Sequence, residues 1–139
     1  MGEGGVMARR DLIGAVDFKH LEAYAAGDQG LIDEVLELFR NQVALWLPLL
    51  DPAIADEAWR DAAHTLKGSA LGVGAFEVAK ACETAEDAFQ QPLGVKAARL
   101  AAVRDALDRA LADIAAYAHE RALQSLKSPP IELGARDKL

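Results

Sequence analysis

Cysteine, aromatic residues and positive charge are all scarce in this chain of 139 residues. A single cysteine, Cys82, excludes an intramolecular disulfide framework and makes a reducing compartment the default expectation. Lys and Arg number 15 against 22 Asp and Glu, a formal charge of −7. Such a surface repels phosphate backbones, which argues against nucleic acid and anionic membrane as partners. No uninterrupted apolar run reaches the ~18 residues of a membrane span. The N-terminus lacks the basic-then-apolar order of a signal peptide, and Val6 fails the Ser/Thr requirement of a myristoylation signal. The expectation is a soluble, cytoplasmic protein.

What is abundant is small and aliphatic. Hydrophobic residues make up 52% of the chain and aromatics only 6%, so Ala and Leu carry much of the apolar content. Both lose little side-chain entropy in a helix, and that bias favours helix over strand. Asp17 is placed to cap a short helix from Phe18 to about Ala26, and Asp28 the next one. From Leu31 the residues Ile32, Val35, Leu38, Phe39, Val43 and Trp46 recur at three and four, with Pro48 a kink or a stop. Asp56 is a candidate cap for a helix from Glu57 to about Leu71, and Gly72 and Gly74 interrupt it. A further helix spans Ala75 to about Gln90. The last carries Leu100, Val103, Leu107, Leu111, Ile114 and Tyr117, fading past Arg121. No stretch alternates as a strand would. The pattern predicts an all-α fold, an antiparallel up-and-down four-helix bundle with a short extra N-terminal helix. Residues 1–14 read as a flexible lead-in, 15–124 as the bundle and 125–139 as a disordered tail.

One segment stands apart: Ala62-Ala63-His64-Thr65-Leu66-Lys67-Gly68-Ser69-Ala70, followed by Gly74-Ala75. At ~100° per residue, Trp59, Ala62, Leu66, Ala70 and Val73 gather on one side of a helix. His64 falls opposite them, with Arg60 and Asp61 one turn before and Lys67 and Gly68 one turn after. Glycine in mid-helix costs about 1 kcal/mol against alanine, and nothing in the helical pattern demands it there. It clears space beside the imidazole for another molecule. Lys67 offers a mobile positive charge suited to phosphoryl oxygens. Histidine, with an ordinary pKa of ~6.5, is a nitrogen nucleophile at neutral pH. The set suits a histidine that accepts a phosphoryl group from a docked donor.

The run His64-Thr65-Leu66-Lys67-Gly68-Ser69-Ala70 with Gly74-Ala75 closely resembles the signature of histidine-containing phosphotransfer (HPt) domains of multistep phosphorelays. The order and lengths of the helices match over roughly residues 15–120. The resemblance implies that His64 is the phospho-acceptor, that Lys67 stabilises the phosphorylated state and that Gly68 admits a receiver domain. Glu86 stands where the family often carries Glu or Gln to orient the imidazole through its other ring nitrogen. The partners implied are receiver domains of a hybrid histidine kinase and a response regulator, with no nucleic acid, no membrane and a monomeric carrier. No cofactor of its own is expected, the Mg²⁺ coming from the receiver. Gly68, Arg60, Asp61 and Leu71, with residues of the first helix, are the docking candidates.

Other readings attach to particular residues. A non-catalytic bundle could bind receiver or kinase domains without exchanging phosphate. A di-metal carboxylate enzyme could use Asp17-x-x-His20 and Asp61-x-x-His64, although Asp17 is better employed as a cap and His64 faces outward. Gly72-Val73-Gly74 lacks the spacing of a nucleotide loop, so the chain is not expected to be a kinase or to turn over a substrate. Trp46, Trp59, Phe39 and Phe76 read as core, Cys82 as a small buried hydrophobe, and His20 and His119 as solvated or packing residues. Glu86 has a second candidate partner in Lys80.

Overall fold

The computed structural model describes residues 14–127. The lead-in expected at 1–14 and the tail expected at 125–139 therefore fall almost wholly outside the described residues. Among these residues five α-helices follow in order: α1 (Phe18–Tyr24), α2 (Gln29–Trp46), α3 (Asp56–Val73), α4 (Phe76–Asp87) and α5 (Leu93–Lys127). A single 3-10 turn, Leu47–Leu49, ends α2 at Pro48. No strand occurs among the described residues. Helices α2 to α5 form the antiparallel four-helix bundle, and α1 is the short extra helix at its edge.

Local chemistry explains most of the helix ends. Asp17 and Asp28 each accept from the backbone N–H three residues on, His20 and Leu31, and so cap α1 and α2. Asp56 does not cap α3 as expected. Ala55 holds the capping position, and Asp56 begins the helix with its carboxylate 2.5 Å from Lys96 Nζ. Lys96 is 3% exposed, with its ammonium 5.7 Å from the centre of the Trp59 ring. A lysine this deep needs a paired charge, and Asp56 serves that need instead of the helix end. At the far end of α3, Gly74 has φ 81°, and the amide of Ala75 turns back to Ala70. That left-handed residue is why α4 can start at once and run back along α3.

The core is lined by Phe39, Trp59, Leu66, Leu107 and Ile114 together with many alanines, among them Ala62, Ala63, Ala70, Ala79, Ala85 and Ala110. Small side chains at these facing positions let α3 and α4 approach closely. Trp59 Nε1 donates to the carbonyl of Ala85 at 2.7 Å, fixing the register of α4 against α3. Two expectations about the core require correction. Phe76 is 45% exposed, because it opens α4 just after the Gly74 turn and lies at the bundle edge. On α2 the buried line is Ile32, Leu36, Phe39 and Val43, while Leu31 and Leu38 are exposed. The apolar stripe of α2 is wider than its buried face, and periodicity alone does not locate the centre of that face. Helix α5 spans ~52 Å at 1.5 Å per residue and continues past Arg121, where the apolar pattern fades, to Lys127.

Candidate functional site

The outward face of α3 carries the site. With Trp59, Ala62, Ala63, Leu66 and Ala70 buried, the helix has no freedom to rotate, and His64 is held out with its side chain 68% exposed. One turn on, Gly68 is exposed, and a Cβ built there meets nothing within 4 Å. The bundle itself does not require a glycine at this position. The missing side chain leaves a bare strip of helix next to the imidazole.

Glu86 reaches the site from α4. Its register follows from the Trp59 to Ala85 hydrogen bond one residue earlier, which sets the adjacent side chain against α3. Glu86 Oε2 lies 3.0 Å from His64 Nδ1, and Oε1 lies 3.3 Å from Lys67 Nζ. One carboxylate, itself only 20% exposed, therefore contacts both the imidazole and the lysine. A carboxylate can only accept, so the ring nitrogen facing it carries the proton. In the neutral imidazole this leaves Nε2 with its lone pair, the tautomer required of an Nε2 nucleophile. Lys80, the other partner considered for Glu86, is not the one it meets.

Beneath these groups lies Cys82, one turn before Glu86 and fully buried. Burial above all, then the Glu86 carboxylate, pushes its thiol up to about 12 against the opposing charge of Lys67. It stays protonated at neutral pH and offers no thiolate.

The docking candidates differ in their surroundings. Leu71 is 46% exposed and Asp61 is exposed. Arg60 is occupied within the chain, paired with Glu57 and set 5.0 Å over the Phe89 ring. Leu71 and two residues of α1, His20 and Tyr24, line an apolar groove of about 460 Å³ together with Gly68, Gly72 and Leu38; the part played by Leu38 of α2 was not among the expectations. Tyr24 and Leu38 are 72% and 57% exposed, large apolar groups left in water along one side of the histidine. A readable signal existed for Leu38, since a stripe holding both Leu38 and Phe39 is wider than one neighbour can bury. The motif Asp17-x-x-His20 is not a ligand pair: Asp17 is spent as the α1 cap, and His20 stands edge-on to Phe76. Among the described residues no three His, Cys, Asp or Glu side chains gather as metal ligands would.

The Hpt domain family matches residues 29–119, from the start of α2 to well along α5. Among solved structures the chain is similar to Histidine Phosphotransferase ShpA from Caulobacter crescentus, with 56% sequence identity and a TM-score of 0.67 over 82% of this chain and 100% of that one. No curated protein matches it. The chain thus belongs to the histidine-containing phosphotransfer domain family, the helical phosphotransfer modules of two-component signalling.

Proposed function

We propose that this chain relays a phosphoryl group between receiver-domain aspartates, taking it from a hybrid sensor kinase and passing it to a response regulator through phospho-His64. The observation that carries the reading is the exposed imidazole whose Nδ1 is engaged by Glu86 while Lys67 stands on the same carboxylate. In the forward step His64 Nε2 attacks phosphorus in line, the N–P bond forms, and the P–O bond to the aspartate breaks. The aspartate leaves as a carboxylate with the bonding electron pair. The proton on Nδ1 stays with the ring, and the positive charge the ring acquires faces Glu86. Lys67 Nζ is free to swing from Glu86 to the phosphoryl oxygens, because a lysine is a mobile point charge. Mg²⁺ held by the receiver neutralises charge on the transferring group. Holding the two partners in line supplies most of the acceleration, since the transferring group needs little covalent help from protein. The reverse step uses the same groups.

Under this reading the chain is a carrier that neither binds nucleotide nor turns over a substrate, and it acts as a cytoplasmic monomer. Among the described residues no helix is long and apolar enough to cross a membrane. The receiver seats on the groove beside Gly68, where apolar side chains supply the contact. The test is a transfer profile: the chain and its His64→Gln variant are incubated with phosphorylated receiver domains, and acid-labile phosphate on the chain is counted. Uptake by the wild type alone supports the relay. A complex that forms with no phosphate moved supports a binding module instead.

A further inference from the structure

We propose that the buried Asp113 carboxylate of α5 is a positioning residue for receiver docking: by holding Ala15 and Val16 it sets the place of α1, and with it the Tyr24 wall of the groove beside Gly68. The inference rests on the reading of that groove as the docking surface.

Asp113 is 0% exposed, in the middle of α5 and away from His64. A carboxylate in a bundle core is unfavourable unless its oxygens are satisfied, so its partners account for its presence. Asp113 Oδ2 accepts the backbone N–H of Ala15 at 2.6 Å and of Val16 at 3.1 Å. Those two residues precede α1 directly. On the other side the same segment is tied to the α3–α4 turn, where Asp17 N donates to Gly74 O at 3.0 Å. The fit there is close, for a Cβ on Gly74 would stand 2.9 Å from Asp17 O. The segment is clamped between α5 and the end of the phospho-acceptor helix.

Helix α1 depends on that clamp. Its seven residues are too few to persist as a helix unsupported. Inward it buries Phe18, stacked on Tyr117 at 4.3 Å, and Leu21. Tyr117 donates its hydroxyl to Glu22 at 3.3 Å. Apolar contact and the Glu22 bond hold α1 down along its length, whereas the two N–H bonds to Asp113 act directly before its first turn and fix where the helix begins. The flank of α1 next to that buried face carries His20 and the exposed Tyr24 into the groove. Asp113 therefore acts on docking through α1 and does not touch the reacting atoms.

The experiment compares wild type with Asp113→Ala, Asp113→Asn and Gly74→Ala. Phosphate uptake is measured against the concentration of a receiver domain that phosphorylates the wild type. It is measured separately with potassium phosphoramidate, a small donor that needs no docking surface. If α1 holds its place only about a tenth of the time in Asp113→Ala, the half-saturating receiver concentration rises about tenfold. The maximal rate and the phosphoramidate rate stay within about twofold. Amide exchange speeds up across residues 14–26 and not in α2 to α5. Asp113→Asn, which keeps an accepting oxygen, falls between, and Gly74→Ala reproduces the docking loss from the other side of the clamp. An unchanged half-saturating concentration despite faster exchange at 14–26 overturns the proposal. So does an equal loss with phosphoramidate, or global unfolding of Asp113→Ala, since the effect is confined to the clamp and α1. A wild-type chain that accepts phosphate from phosphoramidate but from no receiver removes the docking reading itself, and this inference with it.

Discussion

Replacing Gly68 is predicted to make the fold more stable and the protein less able to exchange phosphate. A Cβ at this position meets nothing within 4 Å, so Gly68→Ala introduces no clash within the chain. The helix gains the propensity difference between glycine and alanine, about 1 kcal/mol. With a urea slope of about 2 kcal/mol/M, the unfolding midpoint rises by about 0.5 M. The melting temperature rises by roughly 4 °C. Gly68→Gln gains nearly as much from helix propensity but sets a long side chain over the strip beside His64. For a receiver packed against that strip, a tenfold rise in half-saturating concentration corresponds to about 1.4 kcal/mol of lost docking. Urea unfolding by circular dichroism and a receiver titration on the same samples give both quantities. Lower stability in Gly68→Ala would show that the glycine serves the bundle. Higher stability with unchanged transfer in both variants would refute the idea that Gly68 clears the approach to the imidazole.

Other substitutions separate the remaining roles. Glu86→Gln keeps an oxygen that can accept from Nδ1–H and should slow phosphate uptake only a few-fold, whereas Glu86→Leu should slow it about tenfold or more, as loss of an orienting partner does; equal rates in quenched-flow uptake for wild type and Glu86→Leu would contradict the orienting role. Leu38→Ala and Leu71→Ala remove exposed groups, so stability should change by less than about 0.5 kcal/mol, while each weakens receiver docking by about 1 kcal/mol. Calorimetric titration checks the second figure, and unaltered affinity in both would place the receiver elsewhere. Cys82 gives a pH dependence with a definite sign. Its thiol is raised from 9.0 to about 12 in the folded protein, so its contribution is present below pH 9 and is lost as pH climbs towards 12. At pH 10 the wild type should have lost roughly 1 kcal/mol that Cys82→Ala does not lose. Urea titrations of both proteins at pH 7 and pH 10 measure the difference, and parallel behaviour would show that the thiol ionises freely.

The sequence made the outward placement of His64 legible because Trp59, Ala62, Leu66, Ala70 and Val73 define one face without ambiguity. It also named Glu86, although periodicity could not choose between His64 and Lys80 as its partner. That choice depends on the register of α4, set by a tryptophan-to-carbonyl bond between two helices. The misread residues have a common cause. Phe76, Leu38 and Asp56 sit at the flank or the end of a helix, where one turn of angle or one neighbouring side chain decides burial. Asp56 lost its role as a cap to Lys96, 40 residues away, and Asp113 serves amides 97 and 98 residues away. Pairings at such distances leave no local pattern. Leu71 and the first helix were named from the sequence as docking candidates, but the groove they form with Leu38 of α2 was not, since it is assembled from three helices.

The most direct test of the account is to locate the phosphorus. After transfer from a receiver domain, ³¹P NMR and peptide mapping identify the modified residue and the ring nitrogen that bears the phosphoryl group. With Nδ1 engaged by Glu86, the phosphate is predicted on Nε2 of His64 and absent from His64→Gln. Phosphate on Nδ1, on His20 or His119, or on no residue at all would contradict it.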